Sequence, residues 1–379
     1  MQYVPFGQLG FNVSRLGFGM MRLPMNEING EKIVDEERTK AMLRHAIDSG
    51  VNYVDTAYPY CGRQSEPVVG RCLKDGYREK VKLATKLPCW LVETEADLDR
   101  LLDEQLRRLD VPQIDFYLLH ALGKDRWEKM KSLHVTDFLD RAVKDGRIVH
   151  PSFSFHDDYP VFREIMTSYD WHMAQIQFNY LDIYDQAGLA GVRLARQRNV
   201  PLVVMEPLRG GALANPGPDI QAIMNHTKVK RSAPDWAFRY IADFKEVAVI
   251  LSGMSTEEQV EDNLRIFNDV TVGGMTDAEK RLIGRLRAGY LARMPIGCTG
   301  CRYCMPCPKG VNIPALFKDF NESRMLSVPD RFKRQYAGYV KDENDAGRCV
   351  GCGACEKQCP QHLPIRDWLK KLDAEGKAE

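Results

Sequence analysis

Cysteine is scarce in the first 297 residues of this 379-residue chain, where only Cys61, Cys72 and Cys89 occur. The other eight of its eleven cysteines crowd behind Gly297. That uneven placement, with an odd total, excludes a disulfide framework spread through the fold. Charge of one sign is missing too. With 53 basic against 52 acidic side chains, no global field is left to hold a nucleic acid or an anionic membrane. No run approaches the roughly 18 apolar residues of a membrane span. The start, MQYVPFGQLG, lacks the basic and apolar regions of a secretory signal. A cytoplasmic chain is expected, with partners recognised locally and neither nucleic acid nor membrane among them. Low-complexity linkers are absent as well. What is present is ordinary globular composition, 44% hydrophobic and 28% charged, enough to bury a full core. The length leaves room for one large domain and a small one.

From residue 14 to about 270, short apolar runs alternate with longer amphipathic stretches. Strands are predicted over 14–20, 52–57, 81–87, 114–121, 148–155, 174–180, 201–208 and 247–253. The clearest helix is TEADLDRLLDEQLRRLD, with Leu98, Leu101, Leu102, Leu106 and Leu109 at helical period. Thr94 with Asp97 and Thr256 with Gln259 have capping-box spacing, and Gly50, Gly76 and Gly146 stand where helices end. Eight such units match a (β/α)8 TIM barrel in count and length. A doubly wound open sheet is the rival, but LGFGMMRLP carries no G-x-G-x-x-G after the first strand. Residues 1–13 are expected to form a hairpin closing the barrel bottom.

In such a barrel the C-terminal strand ends face the active site. Asp55 ends the second strand, Tyr60 follows it, Lys86 ends the third and His120 the fourth. Singly, each has a plain structural reading as a loop cap, a packed aromatic, an exposed amine or a core histidine. Together, an acid, a phenol, an amine and an imidazole form a proton-transfer set. The phenol gives a proton to a developing alkoxide, a nearby cation eases its ionisation, and the imidazole orients the carbonyl oxygen.

The motifs VDTAYPY, LATKLP, DFYLLHA and MEPLRGG, in this order, make residues 1–270 resemble the aldo-keto reductases, NAD(P)H-dependent barrel enzymes that interconvert carbonyls and alcohols. The resemblance implies that Asp55, Tyr60, Lys86 and His120 are the catalytic tetrad. It also implies that Ser154 and Gln175 bond the nicotinamide carboxamide and that Leu208 to Gly211, Gly210 included, receive the pyrophosphate on backbone N–H groups. Met20, Arg22, Met205, Gly253, Ser255, Gln259 and Asn263 complete the implied cofactor set. Two departures stand out: Phe155 and His156 follow Ser154 where the family usually has Asn, and Met205 replaces an aromatic that often stacks on the nicotinamide. The loop after the eighth strand lacks the cation that often grips a 2′-phosphate, so NADH and NADPH both stay open. Trp90 is a candidate for the substrate pocket, with an exposed loop tryptophan as the plain alternative. Cys61 is read as a bystander, and His45, His134, His150, His172 and His226 as structural.

Behind the barrel, Cys349-x2-Cys352-x2-Cys355-x3-Cys359-Pro360 is the bacterial ferredoxin run, and Cys298-x2-Cys301-x2-Cys304-x2-Cys307-Pro308 is the same run one residue shorter. By resemblance to two-cluster ferredoxins, Cys298, Cys301, Cys304 and Cys359 would hold one [4Fe-4S] cluster. Cys349, Cys352, Cys355 and Cys307 would hold the other. Zinc is the alternative for thiolate quartets. The residues between the runs are expected to add helices, giving a small, largely helical ferredoxin-like iron-sulfur domain.

The expected organisation is a barrel over residues 1–272, a connecting helix over 273–296 and the dicluster domain over 297–379. The expected function is reduction of a small-molecule aldehyde or ketone with hydride from NADPH or NADH and a proton from Tyr60. The clusters would serve electron transfer or redox sensing, with a redox partner protein as a second partner. Two other readings stay open: an electron-transfer protein feeding a barrel-bound substrate without nicotinamide, and a redox-regulated binding module.

Overall fold

The computed structural model describes residues 1–378; Glu379, the last residue of the expected dicluster domain, lies outside them. Its strands are β1 (Tyr3–Pro5), β2 (Asn12–Ser14), β3 (Leu16–Gly19), β4 (Met25–Ile28), β5 (Glu31–Val34), β6 (Tyr53–Asp55), β7 (Lys82–Leu87), β8 (Ile114–Leu122), β9 (Ile148–Phe155), β10 (Met173–Gln177), β11 (Leu202–Met205) and β12 (Val247–Ser252). Strands β3 and β6 to β12 pair in parallel, and β12 returns to β3 to close a barrel. The eight expected strands are therefore the eight barrel strands. β10 and β11 end earlier than expected, the latter because Glu206 and Arg209 take positive φ and leave the sheet.

Strand periodicity decides which side chains enter the barrel. Phe6, Tyr53, Ala84, Phe116, Leu118 and Val249 form one apolar cluster, with Phe6 delivered by the antiparallel β1–β2 hairpin. Its ring lies 4.8 Å from Phe116 and 6.0 Å from Tyr53, so the hairpin plugs the barrel bottom as expected. Two residues beyond Tyr53 comes Asp55, two beyond Ala84 comes Lys86, and two beyond Leu118 comes His120. The same alternation that packs the inner core carries these three to its upper layer. The β4–β5 hairpin was not predicted, although its Asn29-Gly30 turn, both residues at positive φ, carries the usual hairpin signal.

The helix Glu95–Leu109 carries the capping box between Thr94 and Asp97 and buries Leu98, Leu101, Leu102 and Leu109. Gln105 is buried with them, while Leu106 is only partly covered. Thr256 caps its helix by accepting from the Gln259 N–H, and Gly50, Gly76 and Gly146 all take positive φ.

The chain parts into two compact units: Met1–Gly210 with Pro234–Thr276, and Gly211–Ala233 with Asp277 onward. In the second unit Asp277–Leu291, the stretch expected to connect, lies against Pro218–Asn225, and Arg293 pairs with Asp219. Helices Ile313–Met325, Pro329–Lys341 and Ile365–Gly376 enclose a core of Phe317, Phe320, Phe332, Tyr336 and Leu369. The buried Asn321 amide grips the backbone of Ile296 at both ends, donating at 2.7 Å and accepting at 3.0 Å, which pins the chain just ahead of Cys298.

One close approach gives a stability test. A Cβ on Gly70, in the helix Ser65–Cys72, would stand 2.4 Å from the Leu109 carbonyl oxygen, a backbone atom with no rotamer to yield. Gly70→Ala is expected to lower unfolding free energy by ~1–3 kcal/mol in urea titration despite its better helix propensity. An unchanged or raised midpoint would contradict this packing.

Candidate active site

Lys86 is 1% exposed and Asp55 2%, so an ammonium and a carboxylate face each other without solvent. The Lys86 Nζ donates to Asp55 Oδ1 at 2.7 Å, to the Thr56 carbonyl at 2.8 Å and to the Tyr60 hydroxyl at 3.3 Å. All three ammonium hydrogens are thereby engaged, and the group has one orientation. Burial opposes the charge on Lys86, but Asp55 and the Tyr60 oxygen outweigh it and raise the amine's pKa. Burial lifts the Asp55 carboxyl, and Lys86 pulls it back.

Tyr60 stands in a short turn whose next residues, Cys61 and Gly62, are left-handed at φ 51° and 63°. Its neighbours are tied down: Thr56 Oγ1 lies 2.8 Å from Ser65 Oγ, which bonds the Met20 carbonyl at 2.9 Å. The Tyr60 ring meets His120 edge-on at 6.1 Å. Burial raises the phenol above its ordinary pKa, and Lys86 works against that rise. The expectation that the cation eases ionisation thus describes only the smaller effect; desolvation is larger. His120 is pushed well below its usual value by burial, then by Lys86, His156 and Arg126, so it is a neutral imidazole at physiological pH. Trp90, 5.2 Å from His120, borders the same space.

Behind Lys86 lies a buried network that sequence reasoning missed. Gln105 Nε2 donates to the Lys86 carbonyl at 3.0 Å and to Glu66 Oε1 at 2.6 Å. Thr85 and Arg108 complete the Glu66 carboxylate at 2.7 Å each, and Tyr117 donates to Gln105 Oε1 at 2.8 Å. A glutamine at a helix position of apolar period was the one available signal. Buried polar groups need partners, and here each partner fixes the strand that bears Lys86.

The residues implied for the cofactor surround this mouth with mixed occupation. Ser154 Oγ already accepts from the Ala121 N–H at 2.7 Å. Gln175 is 1% exposed; its Nε2 reaches only the Met205 sulfur at 3.7 Å, and its Oε1 has no partner. Asp55 Oδ2 and His120 Nδ1 are also buried and unpartnered. Arg22 runs beside Gly253 and toward Gly210, and its carbonyl accepts from Ser255 Oγ at 2.7 Å. Gln259 Oε1 accepts from the Ser255 N–H, whereas Asn263 is spent inside the fold on Ser252 Oγ. Leu208 is partly buried, Gly210 takes φ 67°, and Met20 is buried with its N–H on the Asp55 carbonyl. The three unpartnered buried atoms, Gln175 Oε1, His120 Nδ1 and Asp55 Oδ2, leave hydrogen-bonding capacity that fits a polar, amide-bearing ligand.

The residues read as bystanders have local partners: Cys61 Sγ faces the Met20 and Met21 carbonyls, His45 meets Glu261, and His150 meets His172 at 2.9 Å. His134 lies 4.0 Å from Glu95, and His226 Nδ1 lies 2.6 Å from the Ala222 carbonyl.

In the second unit two cavities lie within the cysteine loops. Cys307, Cys349, Cys352 and Cys355 line one of about 190 Å³. Cys298, Cys301, Cys304 and Cys359 line the other. Cys304 borders both, but the charges that raise its thiol, after burial, are those of Cys298, Cys301 and Cys359. Apart from the shared Cys304, the cavity linings group the cysteines as the ferredoxin spacing implies, with Cys307 beside Cys349, Cys352 and Cys355. Among the described residues no three His, Cys, Asp or Glu side chains could hold a single metal ion. Thiols around a cavity fit the corners of a cluster, each cluster taking four thiolates.

Comparison with known proteins agrees with this geometry. A model of the "Aldo/keto reductase family" matches residues 15–272, and a model of a "4Fe-4S dicluster domain" matches 297–364. The chain is 34% identical over 168 residues to probable aldo-keto reductase 1 of Glycine max, a match spanning 41% of this chain and 45% of that protein. It is 28% identical over 188 residues to aldo-keto reductase YhdN of Bacillus subtilis, spanning 44% and 56%. The chain thus aligns with about half the length of these curated relatives. Among solved structures, aldo-keto reductase AKR11C1 from Bacillus halodurans superposes with a TM-score of 0.64 at 24% identity, over 76% of this chain and 96% of that one. An aldo-keto reductase from Klebsiella pneumoniae in complex with NADPH superposes at 0.59 and 22% identity, over 76% and 95%. These two likenesses show the barrel fold. No described helix is long and apolar enough to cross a membrane. With a closed eight-strand barrel, the buried Asp55–Lys86 pair at Tyr60 and a family match over residues 15–272, the chain belongs to the aldo/keto reductase family, with a 4Fe-4S dicluster segment behind the barrel.

Proposed function

We propose that the protein reduces an aldehyde or ketone to an alcohol in the cytoplasm, with NADPH or NADH as hydride donor. Residues 1–272 would form the catalytic barrel, 273–296 a connector and 297–379 the cluster domain. The observation that carries the reading is the three-bonded Lys86 ammonium holding the Tyr60 hydroxyl at 3.3 Å. Bound reduced nicotinamide supplies a hydride, and [4Fe-4S] clusters supply one-electron chemistry, as carrier or sensor.

The chain's own residues do the rest. Tyr60 gives its hydroxyl proton to the carbonyl oxygen as that oxygen gains negative charge. Lys86 stabilises the phenolate left behind, and Asp55 keeps Lys86 charged and aimed. His120, neutral, donates a hydrogen bond to the same oxygen without changing its own charge. Ser154 and Gln175 would hold the carboxamide, and Leu208, Gly210 and Arg22 would receive the pyrophosphate. The solved Klebsiella pneumoniae relative binds NADPH, which favours that nucleotide here. In the second unit the two thiol quartets hold the clusters.

Three outcomes test this reading. Tyr60→Phe, which keeps the ring and deletes the proton, is expected to lower kcat for benzaldehyde reduction by ~100-fold or more, since proton transfer contributes about that. Activity within twofold of the parent would overturn it. The pH profile follows from the signs of the shifts. Reduction needs the neutral phenol, whose pKa lies above its ordinary ~10, so kcat/KM should stay flat to mildly alkaline pH and fall only beyond it. His120 adds no inflection near 6.5, because its titration lies well below. For the clusters, Cys307→Ser in anaerobically purified protein should reduce iron from about eight atoms per chain toward about four, with one reduced-cluster EPR signal lost. Full iron content and both signals would remove Cys307 from the ligand set.

A further inference from the structure

An arginine borders the His120 side of the barrel mouth. Arg126, exposed in the helix Lys124–Ser132, is pinned there because its Nη1 donates to the Ala121 carbonyl at 2.6 Å, one residue beyond His120. Its guanidinium carbon stands 5.7 Å from the centroid of the Trp90 ring, which is itself 5.2 Å from His120. Imidazole, indole and guanidinium therefore follow one another outward from the proposed reaction centre.

The guanidinium has no carboxylate. Elsewhere the chain supplies acids to its arginines generously: Arg147 holds Asp99, Asp103 and Asp145, and Arg108 holds Glu66 and Glu104. Among the described residues none lies within ion-pair distance of Arg126. The fixed charges that act on His120 are those of Lys86 and Arg126, both cations; His156, the third group acting on it, is itself pushed below its ordinary value by burial and is neutral. Of the acids at the mouth, Asp55 is held by Lys86, and the charge of Glu206 is felt at Tyr60 and His156 rather than at His120.

We infer that the carbonyl substrate carries an anionic group, which pairs with Arg126 while Trp90 covers the carbon skeleton between that group and the carbonyl. A forked guanidinium held by one of its nitrogens keeps other donors for an oxyanion. The indole offers apolar area along the path, and the residue is 37% exposed. Lys86 is engaged by Asp55, Thr56 and Tyr60, so it does not serve the distant anion. This inference rests on the carbonyl-reductase reading of the same site.

The test compares three aldehydes of one shape with the full-length, cluster-loaded protein and NADPH: 4-carboxybenzaldehyde, benzaldehyde and 4-(trimethylammonio)benzaldehyde. The expected order of kcat/KM is anionic over neutral over cationic, with at least a tenfold step between the first two that shrinks with added salt. Arg126→Gln should cut the anionic-to-neutral ratio at least tenfold, and Arg126→Lys should restore part of it. Calorimetry gives a readout apart from turnover: 4-(hydroxymethyl)benzoate should bind the NADP⁺-loaded protein more tightly than benzyl alcohol, and lose that advantage in Arg126→Gln. Equal rates for the three aldehydes, preference for the cationic one, or a ratio unmoved by Arg126→Gln would overturn the inference while leaving carbonyl reduction intact. Turnover of none of them would overturn both readings together.

Discussion

An ammonium with 1% of its surface exposed has no water to carry its charge, so Lys86 exists as a cation only because Asp55, the Thr56 carbonyl and the Tyr60 hydroxyl surround it. Removing one partner of a buried pair of this kind costs several kcal/mol, typically ~3–5, because the survivor is left unsolvated. That constraint reaches far into the fold. β6 and β7 must pair in the register that sets Asp55 against Ala84, and Gln105 must hold the Lys86 carbonyl from behind. The charge is costly to place, and its placement gives Tyr60 a fixed counter-ion for the moment its proton leaves.

The two halves of the sequence speak different electrochemical languages. Hydride carries two electrons in one step, whereas iron-sulfur clusters pass one at a time, and the sequence carries no flavin signature that would convert between them. Eight thiols nonetheless line the two cavities, Cys304 bordering both, and Ile313, Phe317 and Leu369 belong to the apolar core against which the cysteine loops pack. Under the proposed function, one-electron chemistry and carbonyl reduction are separate capacities of one chain.

What could be read from the sequence follows from how local each signal is. Alternation along single strands and thiol spacing within single loops are local, so all eight barrel strands, the strand positions of Asp55, Lys86 and His120, and the gathering of the late cysteines around two cavities were legible. Gln105 and Glu66 were not, because their meaning lies in each other and in Thr85, Tyr117 and Arg108, residues scattered between positions 66 and 117. The helix Asp277–Leu291 read as a connector for the same reason: its contact with Pro218–Asn225 joins segments some fifty residues apart and leaves no periodic trace in either. The β4–β5 hairpin differs, since its Asn-Gly turn was in plain view but flanked by strands exposed along most of their length, without the alternation that marks a half-buried one.

The central claim is electrostatic: the Lys86 cation acts on the Tyr60 phenol across 3.3 Å inside a desolvated site. The most direct measurement is a pH titration of Tyr60 by NMR with 13Cζ-labelled tyrosine, in the parent and in Lys86→Met. The Tyr60 phenol should stay protonated through neutral pH, ionise above its ordinary ~10, and move higher still when the ammonium is removed. A Tyr60 already ionised at neutral pH, or one whose titration is the same with and without Lys86, would contradict it.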